Sequence, residues 1–355
     1  MHIPDGYLSP STCATFYAAA SPFWYLSFRR LQQELHTRLV PLISLFAAFS
    51  FLIMMFNIPL PGGTTGHAAG LALAAIVLGP WGSVLAISIA LTVQALFFGD
   101  GGITALGANC FNLAVAGCWS GLAVYRSLTS GAPLTSRRRT LAAGLAGYVS
   151  INVAALLTAV EFGLQPLLFR DSQGAALYAP FPLQIAVPAM MVGHLTVAGL
   201  AEMFLTAGVV AYLQRAEPNL LLRTAGVPQT LSANSRARQL RRLWAALGVL
   251  MILTPCGLLA VGSAWGEWSP EAFKDPDARR QIQAASRGAP LPEQVPLGLE
   301  QLSHIWTAPI PDYAPHFLRS PVFGYVMSAA VGTGLVILLS LGVSCFLKTL
   351  RGTSS

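Results

Sequence analysis

The stretch "HAAGLALAAIVLGPWGSVLAISIALTVQALFF", residues 67–98, runs for 32 residues without an Asp, Glu, Lys or Arg. A helix needs about 20 apolar residues to cross the hydrocarbon core of a bilayer. The stretch is therefore long for one straight span and short for two. Its centre reads "LGPWG", and Pro80 removes a backbone donor and clashes with the preceding turn, so a helix must break there. The reading is two segments, 67–79 and 82–98, forming a bent or partly inserted pair. Working outward, similar apolar density recurs at 11–28, 39–56, 104–125, 140–164, 183–213, 242–265 and 321–347, which makes nine segments. The chain is 54% hydrophobic and 10% charged, with a mean hydropathy of +0.60. Soluble domains carry about 25% charged residues. These numbers predict an all-α polytopic membrane protein, with a bundle of about seven helices followed by a two-helix unit.

The charges orient it. With residues 1–10 placed outside and the nine segments alternating, 15 of the 21 Lys and Arg fall on the inside, five of the remaining six lying in one long loop. That is the asymmetry of a cytoplasmic positive bias, and it puts the N-terminus outside and the C-terminus in the cytoplasm. Residues 1–213 read as one unit and 242–355 as a second, whose two helices flank an extracytoplasmic loop, 266–319. The Arg-, Gln- and Ser-rich stretch 214–241 reads as a cytoplasmic linker between them. Cys13, Cys110, Cys118, Cys256 and Cys345 lie in or beside apolar runs without a CxxC pair, as small buried hydrophobes do. The only lysines, Lys274 and Lys348, follow no glycine-rich loop, so any ATP must be bound by another chain. No HExxH occurs, and no catalytic residue is expected.

Polar residues are scarce enough to be weighed singly. The chain opens "MHIPDGYLSP" with no basic residue ahead of its first apolar run, so no cleaved leader is expected and the opening residues should stay. The Met1 amine, the His2 amide nitrogen and the His2 imidazole can close two small chelate rings on one ion, nearly in a plane. Planar nitrogen ligation suits Ni(II) or Cu(II) better than tetrahedral Zn(II). His67, in "PGGTTGHAAG", lies on the same outer face and offers a fourth nitrogen; alone it could equally be a packing histidine, and His2 an accident of a terminus. Asp100, in "FFGDGG", reads as a helix-ending turn or as an acceptor behind a ligating imidazole. Asn109 reads as a helix-to-helix hydrogen-bonding residue or as a holder of the N-terminal segment. Glu161, His194 and Glu202 lie within apolar spans as struts, proton relay or metal path. His36 reads as solvated, and His304 and His316 as loop histidines.

Three stretches together, "MHIPDGYLSP", "PGGTTGHAAG" and "QALFFGDGGITALGANCFNLAVAG" (94–117), resemble the CbiM/NikM family of nickel and cobalt energy-coupling-factor transporters. "TPCGLLAVGSAWGEW" (254–268) and "IPDYAPHF" (310–317) resemble the auxiliary NikN subunit, which looks fused here. The resemblance implies metal ligands at Met1, His2 and His67, and Ni(II) as cargo ahead of Co(II). It further implies a transmembrane coupling subunit and two ATP-binding subunits as partners, in a bacterial or archaeal cell membrane. The rival is a stand-alone proton-coupled permease using Glu161, His194 and Glu202.

Overall fold

The computed structural model describes all residues other than 33–38, 226–232, 316 and 353–355. The readings of His36 and His316 lie outside the described residues. Among the described residues thirteen α-helices run in chain order. They are α1 (Pro10–Leu31), α2 (Val40–Met54), α3 (Leu71–Val93), α4 (Leu106–Asn109), α5 (Cys118–Thr129), α6 (Arg137–Leu168), α7 (Leu183–Gly193) and α8 (Gly199–Ala216). After these come α9 (Leu222–Ala225), α10 (Ala233–Leu253), α11 (Pro276–Ala285), α12 (Leu297–Leu302) and α13 (Pro321–Gly352). Wide π-type turns carry α3 on to Phe98, join α4 to α5 through Cys110–Gly117, and join α7 to α8 through His194–Ala198. Among the described residues five stretches are long and apolar enough to cross a membrane: Leu71–Phe98, Arg137–Leu168, Leu183–Ala216, Arg241–Leu259 and Pro321–Cys345. The helix starts are written locally. Ser9 Oγ accepts from Thr12 N ahead of Pro10, and Ser136 accepts from Arg138 N ahead of α6.

The stretch 67–98 does break where expected, and it also reverses. Gly79 has φ 76° and ψ 177°, a conformation that only glycine adopts readily, and Pro80 follows it. A continuous helix over Leu71–Phe98 would separate its ends by about 42 Å. Instead His67 and Asp100 both reach His2, with ring centroids 5.1 Å apart for the histidine pair and 2.8 Å from His2 Nδ1 to Asp100 Oδ1. The segment is a hairpin with a short arm, Leu71–Leu78, and a long one. Thr224 Oγ1 donates to Ile76 O beside the reversal. The short arm begins deep in the bundle, where Leu71 packs on Gly117 and Ala72 on Gly121.

Between α2 and α3 lies a small antiparallel hairpin, β1 (Ile58–Leu60) and β2 (Thr64–Gly66), turned by Gly62 and Gly63 at positive φ. The small residues of "AAGLAG" (142–147) serve internal packing. A Cβ on Gly147 would lie 2.7 Å from Thr206 Oγ1 and 2.8 Å from Glu202 O, so α6 and α8 meet nearly backbone to backbone. One expectation needs correction. Cys256 and Cys345 lie on the surface, unlike the other three cysteines. Most of the described part of 214–241 is helical, Arg, Gln, Ala and Leu being good helix formers even without apolar periodicity. Helices α10 and α13 pack on α2, and the loop between them folds over the N-terminus, burying Trp265, Trp268, Phe273 and Ile282.

Candidate metal centre

The N-terminal ten residues are threaded into the helical bundle. Met1, His2, Ile3, Tyr7 and Leu8 are each no more than 2% exposed. Buried backbone needs partners, and each bond contributes about 1 kcal/mol net while an unmade one costs more. Asn109 supplies two: Ile3 N donates to its Oδ1 at 2.8 Å, and its Nδ2 donates to Ile3 O at 3.1 Å. Its side chain thus pairs with the N-terminal strand and not with a neighbouring helix. Asp5 accepts from Ile103 N at 3.1 Å and Thr104 N at 2.7 Å. Tyr7 OH donates to Trp268 O at 2.8 Å, and Ser9 N donates to Gln165 Oε1 at 2.9 Å. Gly102 admits the strand, since a Cβ there would sit 2.3 Å from Asp5 N.

This anchoring delivers nitrogen donors to one place. The Met1 amine lies 2.8 Å from Glu267 Oε1. The His2 and His67 rings stack at 25°. Both ring nitrogens of His2 are buried without an aligned hydrogen-bond partner. His67 Nδ1 lies 3.1 Å from Ala68 O; a carbonyl only accepts, so Nδ1 carries the proton and Nε2 keeps its lone pair. Burial, with the neighbouring His2 and N-terminal charges, pushes the His67 imidazole down to about 3. It is therefore neutral at physiological pH and ready to ligate. Among the described residues no three His, Cys, Asp or Glu side chains converge as a metal site; any site here must draw on the amine and the backbone.

Asp100 ends the long arm of the hairpin, as expected, and also faces His2. Its Oδ2 accepts from Gln94 Nε2 at 3.0 Å and from Tyr313 OH at 2.5 Å. Burial alone would raise its carboxyl; the His2 charge beside it and the Tyr313 hydrogen bond hold it well below the usual carboxylate range. Tyr313 is held at φ 59° next to Asp312 at φ 52°, strained backbone costing roughly 1–3 kcal/mol per residue. Its ring stacks on Phe98 at 4.8 Å. A cavity of about 550 Å³ opens onto the site, and His67, Asp100, Glu267, His304 and Asp312 are among its lining residues. His304 thus faces that cavity.

Residues 2–220 match the family model for CbiM, described as the cobalt uptake substrate-specific transmembrane region. The chain belongs to the CbiM family. A CbiM-family relative, the fused nickel transport protein NikMN of Rhodobacter capsulatus, is 54% identical over 99% of both chains. The probable fused nickel transport protein LarMN of Lactiplantibacillus plantarum is 40% identical over 97% of both. A solved structure described as a truncated transition metal transporter is 49% identical, covering 60% of this chain and 98% of its own, with a TM-score of 0.57. The CbiM-family region holds His2, His67, Asp100 and Asn109. Glu267 and Tyr313 lie beyond it, and sequence reasoning missed both. No period or spacing links residue 1 to residue 267; the only local signal was the "GEW" and "IPDY" stretches, read there as resemblance alone.

The three intramembrane candidates are dispersed in role. Glu202, fully buried, accepts from Ala69 N, Gly70 N and Leu71 N. His194 Nδ1 donates to Met190 O within its own helix turn. Glu161 has two buried carboxylate oxygens without a hydrogen-bond partner.

Proposed function

We propose that this chain captures Ni(II), with Co(II) as the second candidate cargo, on the extracytoplasmic side of a cell membrane, as the metal-binding component of an ATP-driven energy-coupling-factor importer. The ligands are the Met1 amine, the His2 amide nitrogen, His2 Nδ1 and His67 Nε2. A turn of the His2 ring about Cβ–Cγ aims Nδ1 at the chelate and leaves Nε2 for Asp100. Residues 1–213 form the binding unit and 242–355 the auxiliary unit, joined by 214–241 on the cytoplasmic side, where the C-terminus also lies. A separate transmembrane coupling subunit and two ATP-binding subunits supply the energy. The fused unit shapes access to the site through Glu267 and Tyr313.

One observation carries the reading: a buried N-terminal amine and two stacked, buried imidazoles lie together, His67 lines a cavity that opens onto them, and His2 Nε2 has no partner. Buried polar atoms without partners are costly, and a metal ion would use them. The relatives' names, nickel and cobalt transport proteins, agree with the donor set. Glu202's engagement with three backbone donors supports a strut in place of a proton carrier.

Proton release tests the reading. An amine coordinates only as the free base, and an amide nitrogen only after losing its proton. His67, held neutral by burial, should contribute no proton between pH 5 and 8. Calorimetric titration of Ni(II) in buffers of different ionisation enthalpy should show at least about two protons released per ion, and affinity should fall at least about 100-fold per unit of acidification. Affinity that stays flat between pH 5 and 8 would contradict the chelate.

A further inference from the structure

Beyond the ligands themselves, the short arm of the hairpin raises a question of support. Residues 68–70 are non-helical, and α3 starts opposite Gly117, eight residues and so about 12 Å along its helix from Asn109, which holds Ile3. Backbone N–H groups at that depth cannot turn to water. Glu202, reaching from the first turn of α8, takes three of them, at 2.7 Å from Ala69, 3.0 Å from Gly70 and 3.1 Å from Leu71. Ala69 N belongs to the same peptide group as Ala68 O. That peptide donates to Glu202 on one edge and accepts from His67 Nδ1 on the other.

We infer that Glu202 is a positioning residue for the metal centre, acting on His67 through the 68–69 peptide plane. The carboxylate fixes the plane and polarises its carbonyl. The carbonyl in turn holds the proton on His67 Nδ1, fixing ring orientation and leaving Nε2 as the donor. It is a carboxylate–histidine support with one peptide bond interposed, and such outer supports are worth about 10–100-fold in metal affinity. The inference rests on His67 being a ligand. Glu202→Gln separates the two ideas, because a single carbonyl oxygen cannot serve three donors and the amide NH2 faces them as a fourth.

The test is a double-mutant cycle read as Ni(II) dissociation constants on the untagged full chain. E202Q should weaken binding about 10–100-fold in the wild-type background. In the His67→Ala background it should change affinity by less than about twofold, since the residue it positions is gone. Equal losses in both backgrounds would show a merely structural role and overturn the inference, as would an unaltered affinity in E202Q. If His67→Ala alone left affinity intact, the ligand reading itself would fail. Should E202Q not yield monodisperse protein, Glu202→Asp carries the same cycle, its shorter arm reaching fewer of the three donors. Long-range 1H–15N spectra of the wild-type protein provide a check without any variant. His67 should carry its proton on Nδ1; a proton on Nε2 would overturn the inference.

Discussion

Acetylating the Met1 amine, or extending the chain ahead of it, is expected to weaken Ni(II) binding at least about a thousandfold, some 4 kcal/mol. The amine opens the first chelate ring. Without it the His2 amide nitrogen has no neighbouring anchor to favour its deprotonation, so the second ring is lost as well, and two imidazoles remain of four nitrogens. Donors on adjacent residues owe their strength to effective concentration, which vanishes with the tether. A steric cost adds to this. Met1 is 2% exposed and its amine lies 2.8 Å from Glu267, so an extension must displace the strand that Asn109 and Asp5 anchor. The comparison is calorimetry on protein with a native front end against the same protein acetylated or N-terminally tagged. A tagged protein binding Ni(II) within tenfold of the native one would count against an amine ligand.

The second large effect is at the other end of the donor set. His67→Ala should lower Ni(II) affinity by about 100-fold or more, since losing a ligand should cost at least what losing a ligand's outer support costs. The fold should survive. His67 bonds through Nδ1 to the adjacent Ala68 carbonyl, and the neighbouring backbone is held independently by Glu202. Thermal unfolding of the metal-free protein should therefore shift little while the Ni(II)-dependent increment in melting temperature shrinks, as linkage requires. An unchanged increment in the alanine variant would show that His67 does not touch the ion.

Six of the nine apolar segments correspond to membrane-crossing stretches, 67–79 and 82–98 sharing one, because apolar runs in a chain this poor in charge have few other uses; 39–56 is a shorter apolar helix, and 11–28 and 104–125 fall short of a span. The break at Gly79–Pro80 was legible for the same reason: a proline inside an apolar run has a fixed steric consequence. That the chain doubles back there was not legible, because a kink's direction depends on what waits at both ends, here His2 between His67 and Asp100. The proposed donors Met1, His2 and His67 could be assembled from chelate geometry and a shared face. Their supports were legible only in part. Asn109 read either as an interhelical amide or as a holder of the N-terminal segment, and nothing local decides that a segment 106 residues away will lie across it. Glu267 and Tyr313 enter from the other end of the chain, and the loop carrying them reads as Pro-rich and charged. Only packing brings Trp265, Trp268 and Phe273 inward to fold it over the site. Glu202 read equally as a strut, a proton relay or a metal path, because its partners are backbone amides, which no sequence pattern marks.

The central claim is that this chain holds its cargo with four nitrogens in a plane, three of them from its first two residues. X-ray absorption at the nickel edge on untagged, Ni(II)-loaded protein tests it most directly. The account predicts a square-planar centre with a single shell of four nitrogen scatterers, two showing imidazole multiple scattering. A six-coordinate oxygen-rich shell, or any sulfur scatterer, would contradict it.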